Sequence, residues 1–495
     1  MPRHFVNRLA VLLAGLAVVF NAHADDDDTR FLLEQSRRAA ERRTATPEGE
    51  LIAPPGFLVH QGKVLEVHTQ PDQLEPAIQI AIDTGQWDRL EEFISRYRLM
   101  RDHRPALIAM AEGLLARHRG DYPLALQHMQ SAHEAALQDG RIYLELARLQ
   151  FEDNQDRAAR DGFSQAMARK DMPQQARAMS QQYLQALDMR SRWHGSLAFG
   201  VGYNSNINQA AGGSQLFCLD FFPICYNRKL DDPISSNLIN YELSMQRRFN
   251  VKGNHNLLMR PVAYGSLYRR KNEAPNTPIR NYSNNTAILY LGYNYLDARN
   301  NISVMPYIEH YTRDSHSHFL AKGMQLEWRR AIGSKWQIGS VLDAKRHHHT
   351  DWGQRTSGDF TQYQWGLSAN YMPRANTSIY GGVDLYRKKY AVSQASSKDV
   401  SFRAGVYHAF PGKAGLYVNA MGVFRITRSD AHDGFLGERR LDRQQVYILT
   451  AGMEGLKIAG MTPELRLRRN INRSNIDWAY DFQQTEISLM LRRNF

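Results

Sequence analysis

Two hydrophobic periods divide the chain. From about Asp72 to Asp188, apolar positions recur at helical spacing in a stretch rich in Ala, Leu, Gln and Arg and poor in β-branched residues, which predicts packed amphipathic helices. At Trp193 the period falls to two. Trp193, Leu197, Phe199, Val201 and Tyr203 alternate with His194, Ser196, Ala198, Gly200 and Gly202, a strand with one greasy face and one small or polar face. The same alternation sets Ile239, Tyr241, Leu243 and Met245 against Asn240, Glu242, Ser244 and Gln246, and it returns in Trp336–Leu342 and Tyr363–Tyr371. Each run is about ten residues long, the length a tilted strand needs to cross a hydrocarbon layer.

Fourteen such runs are predicted, near 193–204, 236–249, 255–268, 283–297, 301–313, 319–332, 335–347, 360–373, 376–391, 399–410, 414–428, 443–457, 462–474 and 480–495. Short turns fall at Asn250–Asn254, Asp297–Asn300, Gly333–Ser334, Pro373–Ala375, Pro411–Lys413 and Ala459–Met461, and longer polar loops include Asn204–Ser235, Lys271–Tyr282, His347–Asp359 and Ser429–Asp442. An even strand number with short turns on one side and long loops on the other is the pattern of an antiparallel outer-membrane β-barrel. The last run alternates Leu489 and Leu491 with Ser488 and Arg492 and closes on Phe495, an ending typical of strands handed to the outer-membrane insertion machinery. A soluble β-sandwich is the competing reading. It does not account for the loop alternation together with the aromatic load, since 20 of the 24 Tyr and 6 of the 7 Trp lie from Trp193 onward.

The helical region aligns on itself with a period of 34 or 35 residues. Trp87 recurs as Tyr122 and then as Asp156, Gly85 as Gly120, Gly113 as Ala147, Ala125 as Ala159, Met129 as Phe163, and Ala132 as Ala166. Small residues at matched sites let paired helices approach, and about three such units resemble a tetratricopeptide solenoid, with Asp156 breaking the aromatic position and an irregular helical bundle as the competing reading.

Ahead of it, Arg3, His4 and Arg8 precede the apolar stretch Leu9–Phe20, and Ala22-His23-Ala24 meets the acidic run Asp25–Asp28. That is the pattern of a secretory signal peptide over 1–24. The mature chain is expected to begin near Asp25, outside the cytoplasm, and lacks the Cys there that would make it a lipoprotein. Residues 25–71 read as an N-terminal segment and linker, with a short helix in Arg30–Arg43 and Pro47, Gly49, Pro54, Pro55 and Gly56 in Thr44–Phe57. The expected fold class is therefore α plus transmembrane β: a tetratricopeptide-like α-solenoid over 72–190, on the periplasmic side, then a 14-stranded antiparallel outer-membrane barrel over 193–495.

Composition narrows the chemistry. Charged residues make up 23% of the chain and hydrophobic ones 43%, and no apolar run after the leader reaches the roughly 18 residues of a membrane helix. The net charge of +12 comes without a long basic run, and nucleic acid is not an expected partner outside the cytoplasm. The sequence lacks G-x-S-x-G, H-E-x-x-H and Walker signatures, so no enzyme activity, cofactor or catalytic residue is expected. His347-His348-His349, with His310, His316 and His318 in what reads as the preceding external loop, are taken as solvated loop residues rather than a metal site. Cys218 and Cys225 in the first long loop are expected to close it with a disulfide. Glu242, Gln246, Glu327, Arg329, Asp343 and Arg403 are expected to coat a wet lumen.

The stretch Trp193-His194-Gly195-Ser196-Leu197, the distinctive Gly200-Val201-Gly202-Tyr203-Asn204-Ser205-Asn206-Ile207-Asn208, the domain order and the terminal Arg492-Arg493-Asn494-Phe495 resemble the surface lipoprotein assembly modulator (Slam) family of Gram-negative bacteria. The resemblance covers essentially the whole mature chain. It implies protein export without catalysis, in which the repeats handle a client, a surface lipoprotein or a secreted haem- or metal-acquisition protein, and the barrel provides passage. It also implies periplasmic chaperones, the insertion machinery and outer-membrane lipid as partners, and it fixes no client-binding residue. A polysaccharide-export porin, which carries longer repeat arrays, and a simple diffusion porin, which leaves the repeats without a role, are the alternatives.

Overall fold

The computed structural model describes residues 29–30, 32–33, 57–60, 63–170, 172–218, 225–273, 279–433 and 436–495. The expected signal peptide and most of the expected linker lie outside these residues. A short hairpin, β1 (Phe57–His60) with β2 (Lys63–Glu66), occupies the end of the segment read as linker. Its Leu58 is buried in the core of the helices that follow.

Seven helices come next: α1 (Pro71–Asp83), α2 (Trp87–Arg98), α3 (Pro105–His118), α4 (Tyr122–Ala135), α5 (Gly140–Glu152), α6 (Asp156–Ala168) and α7 (Gln174–Arg190). Local chemistry starts several of them. Pro71 and Pro105 occupy first-turn positions where a missing N–H costs nothing. The Asp139 carboxylate accepts from the amides of Arg141 (3.0 Å) and Ile142 (3.3 Å) at the start of α5. Each pair turns over on a left-handed residue, Gly85 (φ 70°), Gly120 (φ 72°) and, in the third unit, Asn154 (φ 61°). The matched repeat positions form the core: Ala125, Met129, Ala132, Ala159, Phe163 and Ala166 are fully buried. A Cβ on Gly162 would lie 2.7 Å from the Ala147 methyl, so α5 and α6 pack too closely for any larger residue there.

The barrel is a closed ring of fourteen antiparallel strands, each hydrogen-bonded to the next in sequence. They are β3 (His194–Asn204), β6 (Ser236–Lys252), β7 (His255–Tyr268), β8 (Asn284–Leu296), β9 (Asn300–Arg313), β10 (His316–Ile332) and β11 (Trp336–His349). The ring continues through β12 (Phe360–Arg374), β13 (Thr377–Tyr390), β14 (Ser397–Ala409), β15 (Leu416–Ser429), β16 (Leu441–Met453), β17 (Thr462–Ser474) and β18 (Phe482–Asn494). Strands β4 (Ser214–Cys218) and β5 (Cys225–Lys229) form a separate hairpin within the first long loop. The ring closes where β18 meets β3. There Gly195 and Phe495 exchange backbone hydrogen bonds of 2.9 and 3.0 Å, and β18 lies so near that a Cβ on Gly200 would sit 2.2 Å from the Leu489 carbonyl oxygen.

The predicted alternation sorts as expected. Leu197, Phe199, Val201 and Tyr203 face outward and exposed, while Ser196 and Ala198 are buried inside. Trp336 packs against Tyr371 with ring centroids 4.6 Å apart and planes tilted by 31° near the short turns, at a level where aromatic residues favour a membrane interface. One connection differs from expectation. β9 and β10 are joined by Asp314 (φ 53°) and Ser315 (φ 62°), a tight left-handed turn, so His310, His316 and His318 lie on strands and not in a loop.

Phe163, stacked on Tyr183 at 4.6 Å, is the largest matched core residue of the third repeat. Phe163→Ala is expected to destabilise that repeat by about 3–5 kcal/mol. Limited proteolysis of the purified protein should show new cleavage in α5–α7, while the barrel keeps its heat-modifiable gel mobility.

Candidate functional site

Three regions could handle a ligand: the lumen, its loop-side mouth, and its turn-side mouth beneath the solenoid.

The lumen is lined by paired charges. Arg492 of β18 binds Glu464 (2.7 Å) and Glu242 of β6 (3.0 Å), and Glu242 is also held by Arg466 of β17. The network spans the β18–β3 closure from inside. Further around, Glu327 accepts from Arg260 (3.0 Å) and Arg329 (3.1 Å), Asp384 pairs with Arg403 (2.5 Å), and Tyr307 donates to Asp343 (3.0 Å). Of the six residues expected to coat a wet lumen, Glu242, Glu327, Arg329, Asp343 and Arg403 sit in these pairs. Burial explains why, since an isolated charge in a narrow low-dielectric lumen is far costlier than a paired one.

The loop-side mouth is organised by the Asn204-Ser205-Asn206-Ile207-Asn208 stretch. Asn204 donates to Glu486 (2.9 Å), and Asn206 donates to the carbonyls of Ala210 (3.0 Å) and Gln483 (3.1 Å). Asn208 bridges Asp232 and Ile234, donating to the Asp232 carbonyl at 3.0 Å and accepting from the Ile234 amide at 2.9 Å. These asparagines tie both ends of the first long loop to the closing strand, a structural reason for the motif. The second feature of this mouth corrects the sequence reading. His347, His348 and His349 continue β11, paired with Ala321, Leu320 and Phe319. His347 and His349 are buried, and His347 stacks on Phe360 at 3.9 Å. Only His348 points outward, beside Asp359, whose carboxyl is held below its ordinary value by the His349 amide (2.7 Å). The triplet fails as a solvated loop because strand pairing continues through it and alternation drives every second imidazole inward. Among the described residues, no group of three or more His, Cys, Asp or Glu is placed to hold a metal ion. Cys218 and Cys225 are cross-strand partners at the end of the β4–β5 hairpin.

At the turn-side mouth the third repeat grips the barrel, and its departures from the repeat pattern supply the contacts. Asp156, standing where the other units have an aromatic residue, binds Arg190 (3.0 Å) and Arg248 of β6 (3.3 Å). Asn154, standing where they have Gly, keeps the left-handed turn and donates to the Asp297 carbonyl (3.1 Å) in the β8–β9 turn. Asp153 accepts from the Ala298 amide (3.1 Å) and from Asn254 (3.1 Å) in the β6–β7 turn. Arg299 reaches the Arg119 carbonyl (3.4 Å), beside Gly120. The repeat alignment flags Asp156 as anomalous, but its barrel partner is remote in sequence and invisible to periodicity.

A helical-repeat stack seated on the turn side of a closed fourteen-stranded barrel is the architecture of an outer-membrane barrel protein with a repeat domain at one mouth. The chain belongs to the surface lipoprotein assembly modifier family: the family's model matches residues 193–495, and that of its N-terminal TPR repeats matches 61–163. It is similar to the hemophilin secretion modulator of Acinetobacter baumannii, 25% identical over 493 residues, covering 95% of this chain and 96% of that one. It is also similar to surface lipoprotein assembly modifier 1 of Neisseria meningitidis serogroup B, at 24% identity, 85% of this chain and 84% of that one. The surface lipoprotein assembly modifier of Moraxella catarrhalis is 23% identical, with 82% and 77% covered.

Two outcomes follow from the geometry. Glu242→Ala takes the carboxylate from the buried Arg466 guanidinium and leaves Arg492 to Glu464 alone, and is expected to cost about 3–5 kcal/mol, read as a lower temperature at which the folded barrel converts to its denatured gel form, with Glu242→Gln intermediate. Asp156→Ala and Arg248→Ala each remove one docking pair worth about 1 kcal/mol. Hydrogen exchange at the α5–α6 turn should rise in either variant, more in Asp156→Ala because it also removes the Arg190 pair, and in the double variant no further than in Asp156→Ala.

Proposed function

We propose that the chain is an outer-membrane translocation modulator that receives a client protein on its solenoid, on the periplasmic side, and passes it through the barrel to the cell surface. The observation that carries this reading is the fixed seat of the third repeat on the turn-side rim, through Asp153, Asn154 and Asp156. A diffusion porin has no use for a helical platform held over its entrance. The names of the relatives support the same reading and supply the client class, a surface lipoprotein or a secreted protein akin to hemophilin. Periplasmic chaperones would deliver the client, and the barrel itself would reach the membrane through the insertion machinery and rest against outer-membrane lipid. The role is non-enzymatic: charges in the lumen are spent on one another. Cys218 and Cys225 form a disulfide that closes the loop-side hairpin in an oxidising compartment.

The test is co-expression with lipoproteins encoded beside the gene in a heterologous Gram-negative host, with antibody and protease applied to intact cells. The expected result is a client labelled at the surface, or a soluble one in the medium, only when this chain is present. Retention of every candidate behind a correctly inserted barrel would overturn the reading. Cys218→Ser should leave insertion unchanged while making the 214–229 hairpin more sensitive to external protease.

A further inference from the structure

Lumen-facing rows of a transmembrane barrel are polar, and two walls of this one depart from that rule. Leu258, Val262, Ile288 and Met305, on β7, β8 and β9, make one apolar patch. Met421, Val423, Val446 and Ile448, on β15 and β16, make another on the opposite side of the ring. Both are covered by the chain's own N-terminal segment. Residues 29, 30, 32 and 33 are helical, Leu33 packs into the first patch and Leu32 into the second, and the two leucines are 2% and 8% exposed. Arg30 fixes the segment by charge. Its guanidinium lies 2.6 Å from Glu309 and donates to the Tyr264 hydroxyl at 3.0 Å, while Lys345 approaches the other oxygen of Glu309 at 3.4 Å. Two cavities flank the segment, about 140 Å³ walled in part by Arg30 and Leu33 and about 110 Å³ walled in part by Thr29 and Leu32. Each has room for a few water molecules and neither for a polypeptide.

We propose that the N-terminal segment carrying Thr29, Arg30, Leu32 and Leu33 is a plug that seals the resting barrel and must leave the lumen before a client crosses. The first half of that statement stands on the contacts alone, and the second rests on the reading of the barrel as the passage. Apolar walls inside a water-filled pore are unfavourable, so the patches make physical sense as the seat of a leucine pair. Two cations on one carboxylate make the seat releasable, because Lys345 remains with Glu309 when Arg30 departs.

Single-channel conductance of the purified full-length protein in planar bilayers tests the plug without any client, so its result is independent of whether the export reading holds. Wild type should be nearly silent. Arg30→Glu, which sets a carboxylate against Glu309, should raise conductance several-fold, and adding Glu309→Arg should return it toward the wild-type level. Heat-modifiable gel mobility confirms insertion. Should Arg30→Glu fail to insert, Leu33→Ser, which keeps the charge pair, is expected to open the pore in the same direction. A steady open conductance in wild type, or inserted variants that conduct no more than wild type, would overturn the proposal.

Discussion

A sheet surrounded by hydrocarbon tolerates no edge, because every unpaired backbone N–H and C=O there costs several kcal/mol. The pairing of β18 with β3 is therefore the contact on which the rest of the molecule depends. Residues Glu486–Asn494 run against Asn204–Ser196, and Gly200 and Gly202 admit β18 at a distance no side chain would allow. The closure is reinforced from within. Arg492 and Arg466 on one side of it meet Glu242 on the other, and Asn240 reaches Glu486 at 2.8 Å. Once the ring is closed by fourteen strands, the chain enters β3 and leaves β18 on the same turn side, which is where the solenoid must sit.

That placement gives the third repeat its altered sequence. A tetratricopeptide unit packs against its neighbours through an aromatic residue and turns over on glycine, and the first two units do so with Trp87, Gly85, Tyr122 and Gly120. The third faces a membrane protein instead of a fourth unit. Asp156 and Asn154 keep the backbone course of the motif while turning its side chains into ligands for Arg248 and the Asp297 carbonyl. Local sequence, helix packing and the orientation of a binding platform over a pore are linked through two residues.

The parts of this architecture legible in the sequence are those with a period. Strand alternation and connection lengths predict the ring, and the 34- or 35-residue repeat predicts the solenoid core, down to the matched pairs Met129 and Phe163. What escaped has no period. Arg30–Arg43 reads as a short helix in the sequence, but where Leu32 and Leu33 dock does not show there, because the walls they cover are distributed over β7, β8, β9, β13, β15 and β16. The histidine triplet reads as polar loop because imidazole is counted as hydrophilic, whereas strand register and the aromatic rings of Phe319 and Phe360 make His347 and His349 interior. The inward charges were legible as a class, but which carboxylate holds which guanidinium depends on strand neighbours up to 250 residues apart.

The central claim is that a client travels through the lumen after engaging the solenoid, and site-specific photo-crosslinking during export tests it most directly. A crosslinker at Gln362, which lines the lumen, should trap the client in transit, whereas one at Leu291, which faces lipid and is 57% exposed, should not. Client that reaches the surface at full yield without ever crosslinking to Gln362 would contradict the account.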